Sequence, residues 1–168
     1  VAWGTGSIIW LLVAAFRIAR FQQTVRSTAE LDQSGLAICH SVARGMGLRE
    51  LPRMRVSHAE LGPMVWPIGI KPTVLLPRTL LHSSSNDELK LLIAHEYAHL
   101  KRRDHWVRWF ELFVCSLYWW HPAYWIARNR SRQAEEYCCD AVVLERMTQT
   151  DARSYAKVLL KAAEFAAG

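Results

Sequence analysis

The chain has 168 residues, of which 51% are hydrophobic and 21% are charged, and its formal net charge is +6. This length allows one domain with a substantial core and is too short for two. The apolar content excludes a disordered tail, and the positive charge is compatible with nucleic acid, anionic lipid or simple solubility. Each basic cluster adjoins an apolar aromatic stretch, which favours a membrane surface, so we expect no direct nucleic-acid partner. These clusters are Arg17/Arg20, residues 101–103 and Arg128/Arg130/Arg132.

The first 16 residues carry no charge and are followed by Arg17 and Arg20. Because a spanning helix needs about 20 apolar residues, we interpret residues 1–20 as part of a transmembrane helix that begins before the chain does. A buried core helix is the alternative. The basic flank predicts, by the positive-inside rule, that residues 21–168 form a domain on the cytoplasmic side.

The rest of the chain predicts a mainly α fold with a small β-sheet (α+β). Helical patterns cover residues 21–44, 86–103, 122–147 and 151–165. Short β-prone runs broken by prolines occupy residues 54–57, 64–70 and 73–76. Ser85 and Glu88 have the spacing of a capping box, which predicts the beginning of the second of these helices.

This second helix carries the sequence HEYAH at positions 95–99. Histidines four residues apart project from one face of a helix, within reach of one metal ion. Glu96 points about 100° around the helix, so it can reach an attacking water without ligating the metal. We therefore predict a zinc metallopeptidase in which His95 and His99 are ligands and Glu96 is the general base. The alternative is a helix with two structural histidines and a surface glutamate.

A catalytic zinc needs a third protein ligand, and the residues leave two kinds of candidate open. His105 lies six residues after His99, but Arg102 replaces the glycine that makes the intervening turn in metalloproteases with that spacing. The other candidate is a carboxylate on the later helix. Glu135 and Glu136 point about 100° apart, so only one of them can face the metal. Periodicity alone does not choose between these two.

Five segments resemble, in order, the BlaR/MecR-type family of membrane zinc peptidases, which are β-lactam sensor and antirepressor proteins. They are residues 63–66, 71–77, 88–104, 118–125 and 136–140. The family is more distantly similar to the HtpX and CaaX-processing proteases. The resemblance implies a zincin-like core of the gluzincin type, with Glu136 as the third zinc ligand. It also implies that Asp140 orients a histidine ligand.

The resemblance further implies regulatory proteolysis. Full-length relatives sense an external signal and cleave a cytoplasmic repressor or themselves. We therefore expect a protein substrate such as a transcriptional repressor. We also expect a multi-pass membrane protein whose remaining part is a partner of this chain. A quality-control membrane protease of the HtpX type is one alternative. The other is a non-catalytic signal-relay module that uses zinc only as a structural metal. The presence of Glu96 argues against it, because a structural site has no use for a base there.

The proline-rich segment 64–76 precedes the zinc helix, so we expect an exposed edge strand that binds substrate by backbone pairing. The predicted substrate-binding residues are Met64, Val65, Trp66 and Ile68.

Two further features have alternative interpretations. Asp104 is expected to cap the next helix, although it could instead pair with the basic residues 101–103 or hold the active site. Five tryptophans fit a membrane-interface belt and core packing equally well: Trp106, Trp109, Trp119, Trp120 and Trp125.

Overall fold

A computed structural model describes residues 2–58, 61–68, 71–147 and 152–167. Seven helices and four strands in this part of the chain confirm the prediction of a mainly α fold with a small sheet. The helices are α1 (Ala2–Arg26), α2 (Gln33–Met46), α3 (Arg78–Ser83), α4 (Asn86–Arg102), α5 (Asp104–Tyr118), α6 (Pro122–Arg146) and α7 (Ala152–Ala167). The strands are β1 (Ala29–Glu30), β2 (Arg53–Ser57), β3 (Met64–Trp66) and β4 (Thr73–Pro77).

The predicted helix over residues 21–44 is wrong at its beginning. Helix α1 continues through Arg17 and Arg20 for 25 residues, because no helix-breaking residue follows the two arginines before Arg26. A second helix, α2, starts where the side chain of Asp32 accepts a hydrogen bond from the Gly35 amide at 3.0 Å. It ends at a glycine: Gly47 has φ 68°, a left-handed conformation that favours glycine.

The sheet has the strand order β1-β2-β4-β3 and places β3 at its edge. Strand β4 is buried and pairs in parallel with β2 and antiparallel with β3, where Val65 lies opposite Val74. Strand β3 is shorter than the predicted run 64–70: it ends at Trp66, and residues 69 and 70 lie outside the described residues.

Helix α4 lies at the centre of the hydrophobic core. Ser85 and Glu88 form the predicted capping box: the Ser85 hydroxyl accepts from the Glu88 amide, and the Glu88 carboxylate accepts from the Ser85 amide at 2.7 Å. Nearly every residue of the following segment, 89–98, is buried. The helix contacts α2, α6 and α7, so its side chains are held on several sides.

Helices α1 and α5 expose large apolar side chains side by side. The indole of Trp3 donates to the carbonyl of Leu117 at 2.9 Å, and Gly6 leaves room for the ring of Trp119, so the beginning of α1 lies beside the end of α5. We call their exposed large side chains the apolar face. On α1 they are Trp3, Ile8, Ile9, Leu11, Leu12, Val13 and Phe16, and on α5 they are Trp106, Trp109, Phe110 and Phe113.

The apolar face answers the question left open for the tryptophans. Trp106, Trp109, Trp120 and Trp125 are exposed, whereas Trp119 is half-buried against α1. Core packing is therefore the wrong interpretation for the first four. One helix among the described residues, Trp3–Arg26, is long and apolar enough to cross a membrane, and only 6% of its most apolar window is buried.

Candidate metal centre and active site

The three predicted metal ligands converge on one point between α4 and α6. The Nε2 atom of His95 lies 3.3 Å from one carboxylate oxygen of Glu136, and the Nε2 atom of His99 lies 3.8 Å from the other. A ligand atom from each residue lies within 4.8 Å of the others. Two imidazole nitrogens and one carboxylate are a donor set that zinc takes in catalytic sites, so these residues fit the metal.

The electrostatics of the three residues also suit a cation. The hydrogen bond to His95 holds the pKa of Glu136 below its ordinary value, although burial opposes this shift. Burial lowers the pKa of His95, but its hydrogen bond to Glu136, together with the charges of Glu96, Glu136 and Asp140, outweighs that effect and raises the pKa overall. A ligating carboxylate has to be charged, and Glu136 meets that requirement.

The Nδ1 atoms of both histidines face away from Glu136 and towards other acceptors. Nδ1 of His95 lies 3.3 Å from a carboxylate oxygen of Asp140, the residue predicted to orient a histidine, and 2.8 Å from the hydroxyl of Tyr155. Nδ1 of His99 lies 2.8 Å from Asp104. An acceptor at Nδ1 fixes the ring and keeps the proton there, which leaves Nε2 free to bind a metal.

The expectation that Asp104 caps helix α5 is wrong. The residue preceding α5 is Arg103, whose side chain makes no cap hydrogen bond and whose φ is 62°. This left-handed residue ends α4 and turns the chain sharply, so Asp104 is folded back against the histidine of the preceding turn. The buried carboxylate also pairs with Arg102 at 3.3 Å. Asp104 thus serves the alternative role, that of holding the site.

Glu96, the predicted general base, lies beside the two histidines and is 6% exposed. It lines the same cleft as His95 and His99. Burial raises the pKa of this carboxyl, while the two histidines act in the opposite direction. A carboxyl with a raised pKa is a better proton acceptor than an ordinary glutamate.

The other two candidates for the third ligand are not part of the cluster. Glu135 is buried on the neighbouring side of α6 and forms an ion pair with Arg108. His105 lines the cleft, but it belongs to neither of the two groups of possible metal ligands found among the described residues.

The second of these groups joins His99, Asp104 and Cys139. The Cys139 sulfur lies 3.3 Å from Nδ1 of His99 and 3.6 Å from Asp104. Burial, followed by the charge of Asp104, raises the pKa of this thiol well above its ordinary range. His95, His99 and Glu136 all line the cleft, whereas Cys139 is buried outside its lining, so the geometry favours the first group as the metal site.

A cleft of about 270 Å³ opens over the three ligands and is bounded on one side by the β3 segment. Of the predicted substrate-binding residues, Met64 and Val65 line this cleft. Trp66 instead packs against Phe21 of α1, with the two rings tilted by 59°, and donates to the side chain of Gln22 on the same helix. Ile68 lines a neighbouring cavity of about 520 Å³ between α1, β3 and α5.

By its family, this chain is a protein of the metallopeptidase type. The chain belongs to the BlaR1 peptidase M56 family, whose profile matches residues 1–168. The resemblance seen in the sequence is thereby confirmed.

Three characterised relatives are similar to the chain. It is 30% identical over 92 residues to the regulatory protein BlaR1 of Bacillus licheniformis, covering 55% of the chain and 15% of the relative. It is 24% identical over 163 residues to the methicillin resistance mecR1 proteins of Staphylococcus aureus and Staphylococcus epidermidis, covering 95% of the chain and 27% of each relative. The chain therefore spans about a quarter or less of the length of these proteins.

Proposed function

We propose that this chain is the catalytic part of a membrane-associated zinc endopeptidase that carries out regulatory proteolysis. One observation carries the proposal: His95, His99 and Glu136 converge at a cleft that also contains a buried acid, Glu96. The relatives are a regulatory protein and resistance proteins by name, which supports the regulatory role over general quality control. The substrate we propose is a cytoplasmic repressor, the protein itself, or both.

The proposed chemistry divides the work between the metal and the chain. His95, His99 and Glu136 would hold zinc, which supplies a Lewis acid that polarises a carbonyl group and acidifies water. Glu96 accepts the proton of the attacking water on its carboxylate and passes a proton to the leaving amine nitrogen. Asp104 and Asp140 keep the two imidazoles oriented.

A zinc-stapled relay module remains the non-enzymatic alternative, and the geometry favours the enzyme. Structural zinc sites are closed by four protein ligands, whereas catalytic sites have three and face a substrate. Here the Glu136 side chain is 53% exposed towards solvent. Removing zinc from the complete protein with a chelator should abolish cleavage of the repressor and of the protein itself, and added zinc should restore it. Cleavage that continues without metal would refute the proposal.

We expect the substrate to pair with the outer edge of β3. This strand is at the end of the sheet, none of the described residues forms a strand beyond it, and Met64 and Val65 line the cleft. An extended peptide added there would gain main-chain hydrogen bonds and pass over the metal ligands. A structure of the Glu96→Gln variant with a bound peptide should show these bonds. Peptide held elsewhere, with the β3 edge covered, would contradict this expectation.

Membrane association is proposed from α1 and the apolar face. A bilayer would cover the large side chains of that face, and Arg17 and Arg20 would lie at the headgroups on the cytoplasmic side.

The orientation can be tested with a single-cysteine variant. Cys138 is exposed and has to be replaced first, after which Ser83→Cys provides one accessible thiol on α3. In intact cells this thiol should resist a membrane-impermeant maleimide, and it should react after the membrane is permeabilised. Equal reaction before and after permeabilisation would place the domain outside the cytoplasm.

A further inference from the structure

One buried side chain from α7 reaches the metal site. Tyr155 is 3% exposed, and its hydroxyl lies 2.8 Å from Nδ1 of His95. The same hydroxyl donates to a carboxylate oxygen of Asp140 at 2.8 Å. The phenol therefore stands between a metal-site histidine on α4 and a carboxylate on α6.

The chemistry of these three groups defines the direction of each hydrogen bond. A histidine that binds zinc through Nε2 carries its proton on Nδ1, so Nδ1–H needs an acceptor. A phenol oxygen accepts that bond and uses its own proton towards Asp140, which as a carboxylate can only accept.

We propose that Tyr155 is a positioning residue for His95: its hydroxyl oxygen accepts the hydrogen bond from Nδ1–H and links this imidazole to Asp140. The proposal rests on the zinc site described above and extends it to a third helix.

The two histidines are thus oriented in different ways. Asp104 contacts His99 directly at 2.8 Å. Asp140 lies 3.3 Å from Nδ1 of His95, which is farther than the 2.8 Å of the phenol oxygen. The shorter bond is the stronger one, so the phenol is the main acceptor and Asp140 acts mostly through it. As a consequence, the affinity for the metal depends on the packing of α7 against α4. Tyr155 and Val158 of α7 are buried in the core.

The test is the dissociation constant for Zn²⁺, measured by competition with a chromophoric chelator on the complete protein. Tyr155→Phe removes one oxygen atom and keeps the ring. Loss of a group that orients a zinc-binding histidine typically weakens metal binding by about 10- to 100-fold, and we expect that range here. Tyr124→Phe is the matched control, since its hydroxyl donates to the carbonyl of Glu111 at 3.0 Å and contacts no metal-site residue. It should change the dissociation constant by less than about twofold.

A second variant separates positioning from packing. Asp140→Asn leaves Tyr155 in place and should also weaken zinc binding, and the double variant should be no weaker than the worse single one, because both act on one imidazole. This variant keeps the proposal testable if Tyr155→Phe fails to fold, because wild-type affinity in Asp140→Asn would show that the link from Tyr155 to Asp140 does not matter. Wild-type affinity in Tyr155→Phe would overturn the proposal, whether or not Asp140→Asn weakens binding. Failure of the wild-type protein to bind zinc would instead refute the proposed function.

Discussion

Replacing Glu96 by glutamine should lower proteolysis by about 10²- to 10⁴-fold, the usual contribution of a general base. The amide has the shape of the carboxyl but cannot accept a proton from water. The three groups that would hold zinc lie on His95, His99 and Glu136, so the metal should stay bound. The measurement is zinc content together with the rate of cleavage of the complete protein or of its repressor.

The control for this experiment is Asp87→Asn on the same helix. It makes the same change of charge at a side chain that is 87% exposed and pairs only with Lys90. Cleavage in this variant should equal that of the wild type. If Glu96→Gln kept both zinc and full cleavage, Glu96 would not be the base, and the HEYAH helix would be a scaffold.

Two neighbouring glutamates should have opposite phenotypes. Glu136→Ala removes the carboxylate whose oxygens lie 3.3 Å and 3.8 Å from the Nε2 atoms of His95 and His99, so the protein should lose its zinc while the core stays intact. Glu135→Ala should keep its zinc. Its side chain is buried against Arg108, and the loss of this bonded pair should lower the free energy of unfolding by about 1–3 kcal/mol.

Elemental analysis and denaturant unfolding of the purified variants distinguish these outcomes. His105→Ala serves as a further comparison and should retain zinc, since this residue lies outside the ligand cluster. Zinc retained at full stoichiometry in Glu136→Ala would refute the assignment of the third ligand. Zinc lost in Glu135→Ala would do so as well.

Local patterns were enough to predict the zinc helix. The capping box at Ser85 and the helical spacing of His95 and His99 depend on neighbours within one or two turns, and both features are found in α4. The third ligand was different. Periodicity left Glu135 and Glu136 open, and the family resemblance favoured the latter. The structure shows the physical reason, which is that Arg108 on α5 pairs with Glu135.

The surroundings of the metal site could not be predicted in full. Asp104 was expected to be a cap because nothing in the sequence marks Arg103, a residue that is not glycine, as left-handed. Tyr155 was missed because it follows His95 by 60 positions, and only the packing of α7 on α4 brings the two together. The sequence of the last helix is amphipathic, which indicates that one of its faces is buried. This pattern does not indicate which residues that face contacts.

The extent of α1 was also misjudged. The change from apolar to basic residues at Arg17 was interpreted as the end of a helix, but a change of solvent from lipid to water does not break a helix. The same backbone continues to Arg26, and Phe21 and Gln22 near its end contact Trp66 of β3. The candidate membrane helix and the wall of the cleft are therefore in direct contact.

The most direct test of the zinc site is X-ray absorption spectroscopy at the zinc edge of the purified, wild-type protein. A metal held by His95, His99 and Glu136 should show only nitrogen and oxygen neighbours, at about 2.0–2.2 Å, with the scattering pattern of imidazole. The second group, His99, Asp104 and Cys139, would add a sulfur neighbour at about 2.3 Å. One zinc per chain without sulfur is the result we expect. A sulfur neighbour, or no bound zinc, would contradict the metal centre proposed here.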